Sequence, residues 1–63
     1  MVKSYNYINK MGEPKQICVE TEKDAEGKYK FTLWSMRTGD FCGAGALTDK
    51  KLKEWFDYYN INA

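Results

Sequence analysis

Two cysteines, nine carboxylates, ten Lys and Arg side chains and no histidine are the groups this chain of 63 residues could use for chemistry. Without histidine there is no Ser-His or Cys-His nucleophile pair, and the commonest general base is missing. A cysteine nucleophile needs its thiol acidified by a helix N-terminus or a cationic neighbourhood. Neither Cys18 nor Cys42 has such a setting in the sequence. The carboxylate pairs Glu20 with Glu22 and Asp24 with Glu26 fall on a strand and in a hairpin loop, so both read as solvated surface. Two thiols and no imidazole cannot complete a structural zinc site. Gly43-Ala44-Gly45-Ala46 precedes a helix, but a P-loop ends in Gly-Lys-Ser/Thr and a dinucleotide fingerprint needs three spaced glycines. The expectation is a non-enzymatic protein with no metal and no cofactor.

What remains is chemistry of contact. Trp34, Met36 and Phe41 stand close together with Lys30 and Arg37 beside them, and an apolar patch rimmed by charge is how recognition surfaces look. Lys50 and Lys51, followed by Lys53, stand at the start of a helix, where positive charge opposes the dipole. Their placement against local stability points to an acidic partner, and the exposed N–H groups there also suit an anion.

The elements that must position these residues follow from turn signals and periodicity. Strands are expected over residues 3–10, 15–22, 28–36 and 41–46, separated by Gly12 with Pro14, by a hairpin loop closed by Gly27, and by Thr38-Gly39-Asp40. The third strand alternates Tyr29, Phe31 and Leu33 against Lys30, Thr32 and Trp34, the clearest period of two in the chain. A helix is expected over residues 49–60. Thr48 is its N-cap, Asp49 suits the dipole, and Leu47 with Leu52 has staple spacing. Leu52, Trp55, Phe56 and Tyr59 form its apolar stripe, and Asn60 can end it. The fold class is therefore α+β: a four-stranded antiparallel meander with one C-terminal helix across one face, in the order β-β-β-β-α.

Register assigns the faces. Val19 opposite Phe31 and Ile17 opposite Leu33 make one face the core. A tight turn at Thr38-Gly39 sets Ala44 opposite Leu33, Ala46 opposite Phe31 and Cys42 opposite Ser35, so that small residues of the fourth strand lie beneath the helix. The other face then carries Cys18, Glu20, Lys30, Thr32, Trp34, Met36, Phe41, Gly43 and Gly45, with Trp34 draped over Gly43. Cys18 and Cys42 fall on opposite faces about 9–10 Å apart, beyond bridging distance, and both are expected as free thiols, Cys42 protected under the helix. Tyr5 and Tyr7 share a face, and which one depends on a single residue in the Met11–Pro14 turn.

A net charge of +1 is too balanced to imply nucleic acid or an anionic membrane through bulk charge. No apolar run approaches the roughly 20 residues of a membrane span. Residues 1–6 lack the apolar stretch of a signal peptide, so a cytoplasmic location is expected. The leading functional expectation is a small domain that binds another protein, as an accessory modulator or inhibitor, and the Lys, Asn, Tyr and Ile richness suits a phage or mobile-element gene. The alternative is single-stranded nucleic-acid binding, with Trp34, Phe41 and either Tyr5 or Tyr7 stacking on bases. That alternative leans on element order, which resembles single-stranded DNA-binding coactivator folds. A homodimer through an edge strand is a third expectation.

Overall fold

A computed structural model describes residues 1–61. Four strands, β1 (Val2–Ile8), β2 (Pro14–Glu20), β3 (Tyr29–Ser35) and β4 (Phe41–Leu47), precede one helix, α1 (Asp49–Tyr58). The strands lie side by side in chain order, β1-β2-β3-β4, and every pair is antiparallel. The expected meander and its C-terminal helix are thus present.

Each connection is fixed by a residue with the chemistry to turn the chain. Between β1 and β2 the Asn9 side chain accepts hydrogen bonds from the backbone N–H groups of Met11 and Glu13, at 3.0 and 2.9 Å. Gly12 supplies the positive φ there. Between β2 and β3 the Asp24 carboxylate accepts from the N–H groups of Glu26 and Lys28, at 2.9 and 3.0 Å, an Asx turn in the physical sense. The backbone donors Lys28, first, and Glu26 hold the Asp24 carboxyl below its ordinary pKa.

The first turn decides the faces of β1. Ile8 pairs with Pro14, Tyr7 with Lys15 and Tyr5 with Ile17, so both tyrosines lie on the helix side. Tyr5 meets Phe56 edge-on with centroids 4.9 Å apart, and Tyr7 meets Trp55 in the same manner at 4.9 Å. The core is built from Ile17, Val19, Phe56 and Ile61, with Tyr5, Tyr7, Tyr29, Phe31, Leu33, Leu52, Trp55 and Tyr59 packed around it. Among the described residues only Ile17 is completely enclosed. All four members of the expected helical stripe are among these residues.

The helix ends are closed as their residues suggest. Thr48 accepts from the Lys51 N–H at 3.3 Å. Asn60 takes a left-handed φ of 55°, and the N–H groups of Asn60 and Ile61 return to the carbonyls of Asp57 and Phe56 at 3.2 and 2.8 Å. This is a Schellman closure, and it delivers Ile61 into the core.

β4 departs from the expected register. Leu33 pairs with Gly43, Phe31 with Gly45 and Tyr29 with Leu47, and an irregularity between Leu33 and Trp34 leaves Trp34 opposite Phe41. The reason lies in the loop. It is not a tight two-residue turn at Thr38-Gly39: the Gly39 N–H reaches the Ser35 carbonyl at 2.8 Å and the Ser35 N–H reaches the Asp40 carbonyl at 2.9 Å. Cys42 is then left over as a bulge residue. Gly43 and Gly45, not Ala44 and Ala46, belong to the helix side, and they are corrected from the outer face to this one. The aromatic lying over a glycine is Phe31, whose ring would stand 2.9 Å from a Cβ at Gly45. Trp34 does not cover Gly43.

Candidate functional site

The sheet face turned away from α1 has two chemically distinct parts. Across β1 and β2 runs a neutral polar strip. Ser4 Oγ lies 3.4 Å from Cys18 Sγ, the Cys18 thiol donates to Gln16 Oε1 at 3.7 Å, and Gln16 Nε2 donates to Asn6 Oδ1 at 3.4 Å. Strand pairing puts Ser4 opposite Cys18 and Asn6 opposite Gln16, so these bonds follow directly from the register. The sequence carried no signal for the strip beyond alternation, because each of its residues is common on any solvated strand.

Across β3 and β4 lies the aromatic part. Trp34 and Phe41 are cross-strand partners, and their rings meet edge to face with centroids 5.3 Å apart. The indole N–H of Trp34 donates to Thr32 Oγ1 at 2.9 Å, which fixes the ring along its own strand. Trp34 is half-buried, whereas Phe41 and Met36 keep 57% and 46% of their surface exposed. Met36 and Arg37 open the loop after β3, and the Met36 N–H is anchored on the Pro14 carbonyl at 3.0 Å. Trp34 and Phe41 are therefore paired at the end of the sheet where Met36 and Arg37 begin the loop.

The remaining predicted residues stand elsewhere. Lys30 is on the same face but pairs with Ala46, four residues along β3 from Trp34, or roughly 13 Å. With Val2 and Glu20 it lines the opposite end of a shallow depression that reaches Trp34. Glu20 is engaged by the N-terminal ammonium at 3.5 Å. Lys50 and Lys51 follow the far end of β4, six residues or roughly 20 Å from Phe41, on the helix side. Among the described residues Lys51 pairs with Glu54 at 3.7 Å, and Asp49 pairs with Lys23 from the β2–β3 loop. Lys23, first, and Tyr29 hold the Asp49 carboxyl below its ordinary pKa, and Asp49 in turn raises both partners. The helix start is already partly neutralised, and the lysines there and the aromatic pair are two separate surfaces.

Tyr5 and Tyr7 are not placed to stack on bases from the outer face, since both pack against the helix. The Tyr7 phenol has its pKa raised by burial first, then by Tyr59 and Cys42. Cys18 and Cys42 are free and on opposite faces, as expected. Cys42 is not sheltered by the helix, however. Its bulge position leaves it exposed, with the Lys15 ammonium 3.7 Å from its sulfur. A second cleft, of about 640 Å³, opens between α1 and the β1–β2 end of the sheet, with Val19, Phe56 and Ile61 at its base and Lys3, Lys53 and Asp57 at its margin. Among the described residues no three His, Cys, Asp or Glu side chains converge as a metal site, and no helix is long and apolar enough to cross a membrane.

Comparison with protein-family models, with curated proteins and with solved structures finds no match to this chain.

Proposed function

We propose that the chain is a non-enzymatic protein-binding domain, an accessory modulator or inhibitor of a larger protein, which docks through the end of the outer sheet face. The observation that carries this reading is the Trp34–Phe41 pair. It is an edge-to-face couple on the face away from the helix, and Met36 and Arg37 follow its strand β3. Aromatic and Arg side chains are the residues that most often anchor protein interfaces. The neutral amide, thiol and hydroxyl groups of the adjoining strip offer hydrogen bonds without a charge to desolvate. A single-stranded nucleic acid fits less well: it needs a positively charged groove to track its backbone, and the strip beside these rings is neutral.

The experiment compares the wild-type chain with Trp34→Ala/Phe41→Ala and with Lys50→Glu/Lys51→Glu as baits in the cells that make it. The expected result is a protein partner whose capture survives nuclease, responds little to salt and falls more than about tenfold for the aromatic variant. Loss on nuclease treatment, with steep salt dependence, would mean nucleic acid instead. Normal capture by the aromatic variant, with failure of the lysine variant, would move the interface to the helix start.

A further inference from the structure

We propose that β4 is a self-pairing edge: two copies of the chain join antiparallel along residues 43–47 and merge their sheets into one of eight strands, four from each copy. The sheet ends in two open edges, β1 and β4, each presenting a row of unpaired backbone donors and acceptors. Such edges are usually guarded by charge, proline or a covering segment. β1 carries Lys3 within the strand and an ion-paired N-terminus at its end. β4, Phe-Cys-Gly-Ala-Gly-Ala-Leu, has neither a charge nor a proline in seven residues. Its bulge at Cys42 disturbs only the start, and residues 43–47 pair with β3 in unbroken register. The helix reaches this edge only at its end, where Leu47 shares a shallow hollow with Lys51, Glu54 and Trp55. From its start beside Tyr29 it runs back across the sheet to rest on Tyr5 and Tyr7 of β1.

The edge also fits itself. A two-fold axis at Gly45 sets Leu47 of each copy opposite Gly43 of the other, on the helix side, and Ala44 opposite Ala46 on the outer side. A Cβ at Gly43 would meet nothing within 4 Å, so there is room for the incoming leucine beside the half-buried Leu33 across the strand. The outer-side contacts are methyl against methyl. No like charges are brought opposite one another along these five residues, and the pairing closes after two copies because the same patch serves on both sides.

The test measures mass and edge protection. Sedimentation equilibrium of the wild-type chain, taken to millimolar concentration, is expected to rise from 7.4 kDa towards twice that value and to stop there. Hydrogen exchange at the amides of residues 43–47 should slow as the dimer fills. Ala44→Lys/Ala46→Lys places lysine against lysine across the axis and should stay monomeric with an unchanged far-ultraviolet spectrum. Ala44→Lys/Ala46→Glu places lysine against glutamate twice and should associate again, and Trp34→Ala/Phe41→Ala should dimerise like the wild type. A wild-type mass that remains at 7.4 kDa, or that climbs past the dimer, overturns the proposal. So does association of the lysine pair at wild-type strength, or failure of the charge-complementary pair.

Discussion

Gly43 and Gly45 sit two residues apart on one face of one strand, yet the space above them differs completely. A Cβ on Gly45 would press to 2.9 and 3.0 Å from the Phe31 ring, whereas one on Gly43 would meet no atom within 4 Å. Gly45→Ala should therefore cost about 1–3 kcal/mol through overpacking. Gly43→Ala should gain roughly 0.5 kcal/mol, by removing glycine's excess unfolded-state freedom. Thermal melts of the two variants would check this, and equal shifts would mean that the Phe31 ring does not rest over Gly45. This difference was not legible in the sequence. In a strand of alternating Gly and Ala either parity looks like a small-residue face, so hydrophobic alternation carries no register signal there. Where the alternating side chains differ strongly, as with Ile17, Val19, Phe31 and Leu33, the pairing read from sequence is the pairing observed. Tyrosine is ambiguous for a different reason. A ring with a polar tip suits either face, so Tyr5 and Tyr7 were placed only by the turn at residues 9–13.

At the scale of elements, the helix was the most legible part, because cap, staple, stripe and terminator agree on the same boundaries. Less visible was the clip that ties its start to the β2–β3 loop. Asp49 pairs with Lys23 and is hydrogen-bonded by Tyr29, a junction between segments that no local pattern encodes. Its pH dependence has a definite sign. Asp49 has a folded pKa below the ordinary 3.8, so its contribution is complete above that value and disappears as pH falls through the depressed one. Lys23 and Tyr29 are raised from 10.5 and 10.0. Their contributions are whole below those values and are lost as pH climbs through the raised ones. Asp49→Asn should therefore melt lower than the wild type at neutral pH and show a shallower decline on the acid side. Part of that decline remains, because Asp24 is also depressed by its loop N–H donors. Melting curves between pH 2 and 7 decide the matter, and parallel acid limbs for the two proteins would remove Asp49 from the account.

For the molecule as a whole, one helix must serve a sheet of four strands, and it covers only part of one face. The chain spans 33 × 22 × 15 Å, and four of the described residues are buried. At roughly 0.05–0.15 kcal/mol per residue a fold of this length is worth about 3–9 kcal/mol. Phe56→Ala, which removes the buried ring that meets Tyr5, should cost about 3–5 kcal/mol and leave the chain largely unfolded at room temperature. Circular dichroism showing a cooperative, near-normal melt would mean that the helix is dispensable to the sheet. The same thin coverage leaves the outer aromatics and the β4 edge bare. That both surfaces exist was readable from a count of elements. Which side chains occupy them depended on one extra residue in the last strand.

That extra residue has a genetic consequence. Losing one codon inside a strand normally turns every later side chain to the wrong face. Cys42 already stands outside the ladder: Leu33–Gly43 and Trp34–Phe41 are the consecutive pairs on either side of it. Excising it would let those two pairs follow one another directly, with Phe41 still against Trp34 and Gly43 still against Leu33. Position 42 is thus a place where the reading frame can shorten by three nucleotides without scrambling the protein, while loss of Cys18 from β2, which pairs without a bulge on either side, would invert that strand. Purified chains lacking one or the other residue should part company in a simple melt, the first cooperative and the second not.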